Sequence, residues 1–178
     1  LFHPALKAVA QIRKNIGFRT FFNMLGPMVN PAKPRYQLVG VYNLEMARIY
    51  NYLLQQTGSA FTIIHGLDGY DEISLTNDTK VITQNGEKVL SAEELGKRTV
   101  TPLDIAGGNT VEDAANIFIK ILKGKGTWAQ NAVVLANASM ALQCTGDYKS
   151  YDDAYNAAVT SLEGGKAYQQ LQKLISFQ

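Results

Sequence analysis

Apolar positions recur at two different periods along this chain, and the switches between them outline the fold. Ala5, Val9, Ile12 and Ile16 share one helical face, with Lys7 and Lys14 away from it, which predicts a helix over 4–16 ended by Gly17. Gly26-Pro27, Asn30-Pro31 and Lys33-Pro34 then mark a loop with fixed turns. Phe18, Phe21 and Phe22 predict that this loop is packed rather than a linker.

Residues 36–42, Tyr-Gln-Leu-Val-Gly-Val-Tyr, form a nearly continuous apolar run, the mark of a strand covered on both faces. Residues 44–56 return to helical spacing, with Met46, Ala47, Tyr50, Leu53 and Leu54 on one face. Phe61-Thr-Ile-Ile-His65 is a second buried strand. Strand, helix and strand with short joints make a βαβ unit, so the two strands are expected to be parallel. Residues 72–75, 80–83 and 87–90 are short β-like pieces, with turns at Asn77-Asp78 and Asn85-Gly86. They predict a small antiparallel β excursion within 72–101. Beyond Asp104 the chain turns helical. Thr110 with Asp113 reads as a cap, followed by a stripe of Val111, Ala114, Ala115, Phe118 and Leu122. Helices are expected over 127–144, 151–162 and 166–175. The sum is an α/β domain with a mixed, mostly parallel sheet flanked by helices.

Composition narrows the class of protein. The 178 residues are 46% hydrophobic and 18% charged, enough for one domain with a sizeable core. Seventeen basic and fifteen acidic residues leave a net charge of +2, which argues against non-specific nucleic-acid binding. The single cysteine, Cys144, has no partner for an internal disulfide and predicts a cytoplasmic setting. No apolar stretch reaches membrane-spanning length, so no membrane partner is expected. The chain opens on Leu1 rather than Met, and an upstream segment is expected to have been removed. Walker, dinucleotide and Cys/His metal spacings are absent.

The sharpest candidate chemistry is His65-Gly-Leu-Asp-Gly-Tyr-Asp71-Glu72-Ile-Ser74, just past the C-terminal end of a buried strand. Ligands of open α/β sheets bind outside those ends. Adjacent carboxylates suit Mg2+, which takes one or two protein carboxylates beside waters and phosphates. In a regular strand Asp71 and Glu72 would point to opposite faces. They converge only if the backbone turns, which Gly69 permits. A solvated Asp-Glu turn is the competing reading. A basic group, His3, Lys7, Arg13 and Arg19, is a second candidate. Arginine suits bidentate recognition of a carboxylate or phosphate, whereas an ordinary solvated helix face explains the same charges. Gly107-Gly108-Asn109 precedes a helix and could face an anion or merely turn the chain.

Taken together, several segments stand in one order and spacing: His3-Pro-Ala-Leu-Lys7, Arg13-Lys14, Gly17-Phe-Arg-Thr20, Phe22-Asn-Met-Leu-Gly-Pro27, Asn30-Pro31, residues 36–42, 65–74 and Asn131-Ala-Val-Val-Leu-Ala-Asn-Ala138. This combination resembles the anthranilate phosphoribosyltransferase family over essentially all of 1–178. The resemblance implies its C-terminal α/β catalytic domain, of the nucleoside phosphorylase/phosphoribosyltransferase type. It implies transfer of a phosphoribosyl group from phosphoribosyl pyrophosphate to anthranilate in tryptophan biosynthesis. By position, Asp71 and Glu72 would bind Mg2+, Arg13 would hold the anthranilate carboxylate, His3 would lie near the anthranilate path, and Pro27 would pack in that region. The family's N-terminal helical domain, which makes its homodimer, and its glycine-rich diphosphate loop are expected upstream. Residues 1–178 alone are therefore expected to fold without transferase activity. Nucleoside phosphorylases of related fold, and a non-catalytic relative that binds nucleic acid or a metabolite, are the competing readings. The Asp-Glu pair and the Arg13 segment favour the anthranilate enzyme over both.

Overall fold

The computed structural model describes Gln11, Ile12, Asn15, residues 22–96 and residues 98–177. Of the helix expected over 4–16, Gln11, Ile12 and Asn15 are helical, and the rest lies outside the described residues. The chain divides into two units, 1–35 and 36–178.

In the first unit, helix α1 (Phe22–Met28) occupies part of what the sequence predicts as loop. Gly26-Pro27 reads as a breaker, and the helix does stop one residue beyond Pro27, whose ring leaves the residue 23 carbonyl without its intrahelical donor. The turn that follows is held by Asn30, whose side chain accepts the Ala32 N–H at 3.0 Å.

The second unit is built on β1 (Tyr36–Gly40), α2 (Leu44–Leu54) and β2 (Ala60–Gly66). β1 and β2 are parallel, as expected of a βαβ unit, with Gln37 opposite Phe61. Asn43 caps α2 by accepting the Met46 N–H at 2.8 Å. Met46, Ala47, Tyr50 and Leu54 are its buried residues, while Leu53, expected on the same face, is exposed.

β3 (Thr79–Thr83) and β4 (Gly86–Leu90) complete a four-stranded sheet in the order β1-β2-β3-β4. Both added pairings are antiparallel. The sheet is mixed, as expected, but it has one parallel pair against two antiparallel pairs rather than a parallel majority. The reason is local: no helix carries the chain back between β2 and β3, so the strand returns antiparallel. The hairpin turn is Gln84-Asn85, one residue earlier than Asn85-Gly86, because Gly86 already pairs with Thr83 at φ 132°. Residues 72–75, expected as a β piece, form no strand.

Beyond the sheet come α3 (Ala92–Gly96), a 3-10 turn (Pro102–Ile105), α4 (Val111–Leu122), α5 (Trp128–Cys144), α6 (Tyr151–Glu163) and α7 (Lys166–Ile175). β2 is covered on both faces, and all but its first residue are buried. Ile64 and Val81 join Ala132, Ala136 and Met140 of α5 in the main core, with Ile73, Leu75 and Leu95 closing it. Alternation puts Phe61 and Ile63 on the opposite face, toward α2. α5 also packs outward, where Leu135 meets Ala158 and Leu162 of α6. Thr110 caps α4 as expected, accepting the Asp113 N–H at 3.0 Å. Most of the stripe expected on α4 is not covered: Val111, Ala114, Ala115 and Phe118 are exposed, while Leu122 is half-buried together with Ile117, Ile119 and Ile121.

Candidate functional site

Loop 67–78 leaves the C-terminal end of β2 and returns into β3. Its ends are tied where they start: the Gly66 N–H donates to the Tyr70 carbonyl at 2.9 Å, and the Leu67 N–H to the Asp78 carbonyl at 2.9 Å. Gly69 turns the chain at φ 100°, a conformation that glycine adopts without steric cost. The Gly69 N–H closes that turn on the Gly66 carbonyl at 2.8 Å. Asp71 and Glu72 therefore sit on a bend rather than in a strand, which removes the obstacle of opposite-facing side chains.

Four contacts hold the bend. A Cβ on Gly40 would lie 1.6 Å from the Asp71 carbonyl oxygen, so the Asp71 main chain rests directly on the bare Cα of Gly40 at the end of β1. Asn137 of α5 accepts the Ile73 N–H at 3.0 Å and donates to the Ile73 carbonyl at 2.8 Å. Leu75 is held at φ 61°, in the left-handed region, with its side chain fully buried. Its carbonyl accepts the Val100 N–H at 3.0 Å. Finally, the Ser74 and Thr76 hydroxyls pair at 2.7 Å, and Thr76 donates to the Asp68 carboxylate. Alongside, His65 is buried with Nδ1 2.8 Å from the Val41 carbonyl, tying the exit of β1 to β2.

The two carboxylates are exposed, and neither has a hydrogen-bond or ion-pair partner among the described residues. Partial desolvation, and after it the negative charge of Asp71, push the Glu72 carboxyl above the usual glutamate range. Among the described residues no three His, Cys, Asp or Glu side chains come together to hold a metal. The bend therefore offers a pair of oxygen donors and leaves most of a coordination sphere to other molecules. A hard cation completed by waters or phosphates suits that arrangement.

A stability prediction follows from the raised Glu72 carboxyl. A group whose native pKa is raised favours the folded state while protonated, and that contribution is lost as pH rises through the native value. At neutral pH the ionised Glu72 is thus a small native-state penalty. Glu72→Gln is expected to raise the urea midpoint at pH 7, and the gain is expected to vanish below the ordinary glutamate range. A midpoint that is unchanged or lower at pH 7 would contradict the native-state penalty of ionised Glu72.

The other sequence candidates fare differently. His3 and Arg13 lie outside the described residues. Pro27 belongs to α1, and only its helical backbone is described. Gly107-Gly108-Asn109 is no open anion site, because the Asp113 carboxylate already accepts the Asn109 and Thr110 N–H groups at 3.3 and 3.1 Å. Gly40 and Asn137 escape the sequence reading of the site. A glycine inside an apolar strand was the available signal for the first; the second sits in an otherwise apolar helical run with no local mark of its role.

The carboxylates stand on a fixed bend beyond the end of a parallel strand, the place where open α/β sheets bind their ligands. Residues 1–168 match the glycosyl transferase family, a/b domain, and the chain belongs to that family. It is 53% identical over 174 residues to the anthranilate phosphoribosyltransferase of Christiangramia forsetii, covering 98% of this chain and 52% of that protein. The Bacteroides thetaiotaomicron protein of the same name is 50% identical over 175 residues, covering 98% and 53%. Among solved structures, anthranilate phosphoribosyltransferase from Thermus thermophilus superposes with a TM-score of 0.88 at 30% identity, over 98% of this chain and 53% of that one. The Saccharomyces cerevisiae enzyme in complex with PRPP and Mg gives 0.84 at 25% identity, over 94% and 48%. The chain spans about half the length of the curated relatives it matches.

Proposed function

We propose that this chain supplies the metal-binding part of an anthranilate phosphoribosyltransferase site. The complete reaction is transfer of the phosphoribosyl group from phosphoribosyl pyrophosphate (PRPP) to anthranilate, giving N-(5-phosphoribosyl)anthranilate and pyrophosphate in tryptophan biosynthesis. The observation that carries this is the Asp71–Glu72 bend: two carboxylates without partners among the described residues, beyond the end of β2, in a chain that spans about half the length of its relatives. The nucleophile comes from the substrate. The anthranilate amine forms the N–C1 bond as the C1–O bond to pyrophosphate breaks, the pyrophosphate leaves with the electron pair, and the amine proton passes to water. The protein therefore needs no nucleophile of its own, and positioning with electrostatics is its task.

Asp71 and Glu72 would hold Mg2+, and their oxygens, without partners among the described residues, fit a hard cation. When bound, Mg2+ neutralises charge on the departing diphosphate. Arg13 would grip the anthranilate carboxylate through a bidentate pair, with His3 near the anthranilate path and Pro27 packed in the same region. A cytoplasmic location and a homodimer formed through the remaining half of the protein belong to the same reading.

Loss of anthranilate fluorescence in the presence of PRPP and Mg2+ tests it. The 178-residue chain is expected to show no turnover. A polypeptide that also carries the rest of the relatives' length is expected to turn over, with loss of about 100-fold or more when Asp71→Asn and Glu72→Gln are combined. Full-rate turnover by the 178 residues would overturn the half-site reading. An unchanged rate in the double variant would overturn the carboxylate role.

A further inference from the structure

We infer that Asn137 is a positioning residue that sets the Asp71–Glu72 bend through the main chain of Ile73, an inference that rests on the pair being metal ligands. Asn137 lies 64 residues from Ile73 in sequence, so the contact joins two parts of the fold that meet only when α5 docks on the sheet. Its amide uses every donor it has. One pair of contacts grips Ile73, the carboxamide oxygen accepting the N–H at 3.0 Å and Nδ2 donating to the carbonyl at 2.8 Å. The second Nδ2 hydrogen goes to the Val133 carbonyl at 2.9 Å, one turn back in α5, which fixes the rotamer. The opposite amide orientation would set N–H against N–H, so the donor and acceptor assignment is determined by the partners.

The leverage of this grip comes from where it falls. The Ile73 nitrogen belongs to the peptide plane that begins at Glu72, so pinning it fixes how the Glu72 backbone leaves the bend. On the other side the Asp71 carbonyl is seated on Gly40. The pair is thus held at both ends, with Gly40 beneath Asp71 and Asn137 just beyond Glu72. Leu75 shows that the segment is held against its own preference. A left-handed leucine costs of order 1–3 kcal/mol and persists only where surrounding contacts over-determine it. Asparagine is also a weaker helix former than the alanines beside it, so its place in α5 is not explained by helix propensity. All of these contacts lie inside the unit 36–178.

Mn2+ binding followed by electron paramagnetic resonance on the 178-residue chain tests the inference, read well below each variant's melting temperature. Removing groups that orient metal ligands commonly costs 10–100-fold in affinity. Asn137→Ala is expected to weaken Mn2+ about 10-fold or more. Asn137→Asp, which keeps an acceptor for the Ile73 N–H but loses the donors, serves if the alanine variant does not fold, and it too is expected to bind more weakly than wild type. Phe61→Ala, a core change at the other end of β2, is the control for general destabilisation and is expected to keep its affinity. If Asp71→Asn weakens binding while both Asn137 variants stay within about twofold of wild type, the positioning role is wrong and the metal reading stands. If the wild-type chain binds no Mn2+, or Asp71→Asn and Glu72→Gln bind as well as wild type, the metal reading fails and takes this inference with it.

Discussion

Replacing Gly40 by alanine is expected to cost roughly 3 kcal/mol of stability or more and to weaken metal binding at the same time. The added Cβ would stand 1.6 Å from the Asp71 carbonyl oxygen, far inside van der Waals contact. The obstacle is main chain on both sides, so no rotamer change relieves it. Either the end of β1 bends away from β2, breaking the pairing of Gly40 with Ile64, or the Asp71 main chain lifts off the strand. The second route moves the carboxylates directly. Urea unfolding and Mn2+ titration of the same variant read the two effects together. Stability within about 0.5 kcal/mol of wild type would mean that the contact is softer than its geometry implies.

Phe61→Ala carries the other large effect, and it separates stability from site geometry. Phe61 is 1% exposed and is the largest fully buried side chain among the described residues. Truncating such a residue removes its transfer free energy and leaves a cavity, about 3–5 kcal/mol in all. For a chain of this length that is a drop in melting temperature of roughly 10 °C. Phe61 lies about 16 Å along β2 from Gly66, where the carboxylate loop begins. The destabilised protein should therefore keep its Mn2+ affinity below the lowered transition, whereas Gly40→Ala at a similar cost should not. A Phe61→Ala variant that melts within about 2 °C of wild type would show that the core around β2 repacks without loss.

The parts of this fold that local pattern controls were legible in the sequence. β2 is a continuous apolar run because both of its faces are covered, whereas β1, equally apolar in sequence, lies at the sheet edge and buries only Val39. α2, α5, α6 and α7 form close to where the sequence announces them. Failures fall where distant contacts decide. Residues 72–75 have a strand-like composition, yet Asn137 and the left-handed Leu75 hold them in a bend. α1 contains Gly26-Pro27, which local rules read as loop, and the helix survives by ending directly afterwards. Which face of α4 is covered depends on the side the rest of the unit packs against, and the helix's own sequence does not carry that. At the site, Asp71 and Glu72 could be named from their place after a strand, but not what holds them. Gly40 is one residue in an apolar run, and Asn137 becomes meaningful only when α5 lies against the loop.

The grip of Asn137 has a consequence for how this protein tolerates change. Both of its contacts to Ile73 are with main-chain atoms, an N–H and a carbonyl that every residue except proline presents. The lock thus asks nothing of the side chain at position 73 beyond fitting the core, where isoleucine is now fully buried. Part of the specification of the carboxylate bend is written in the helix, outside the bend itself. Position 73 is free to drift among apolar residues of similar volume, while position 137 has no substitute that both donates and accepts across the same gap.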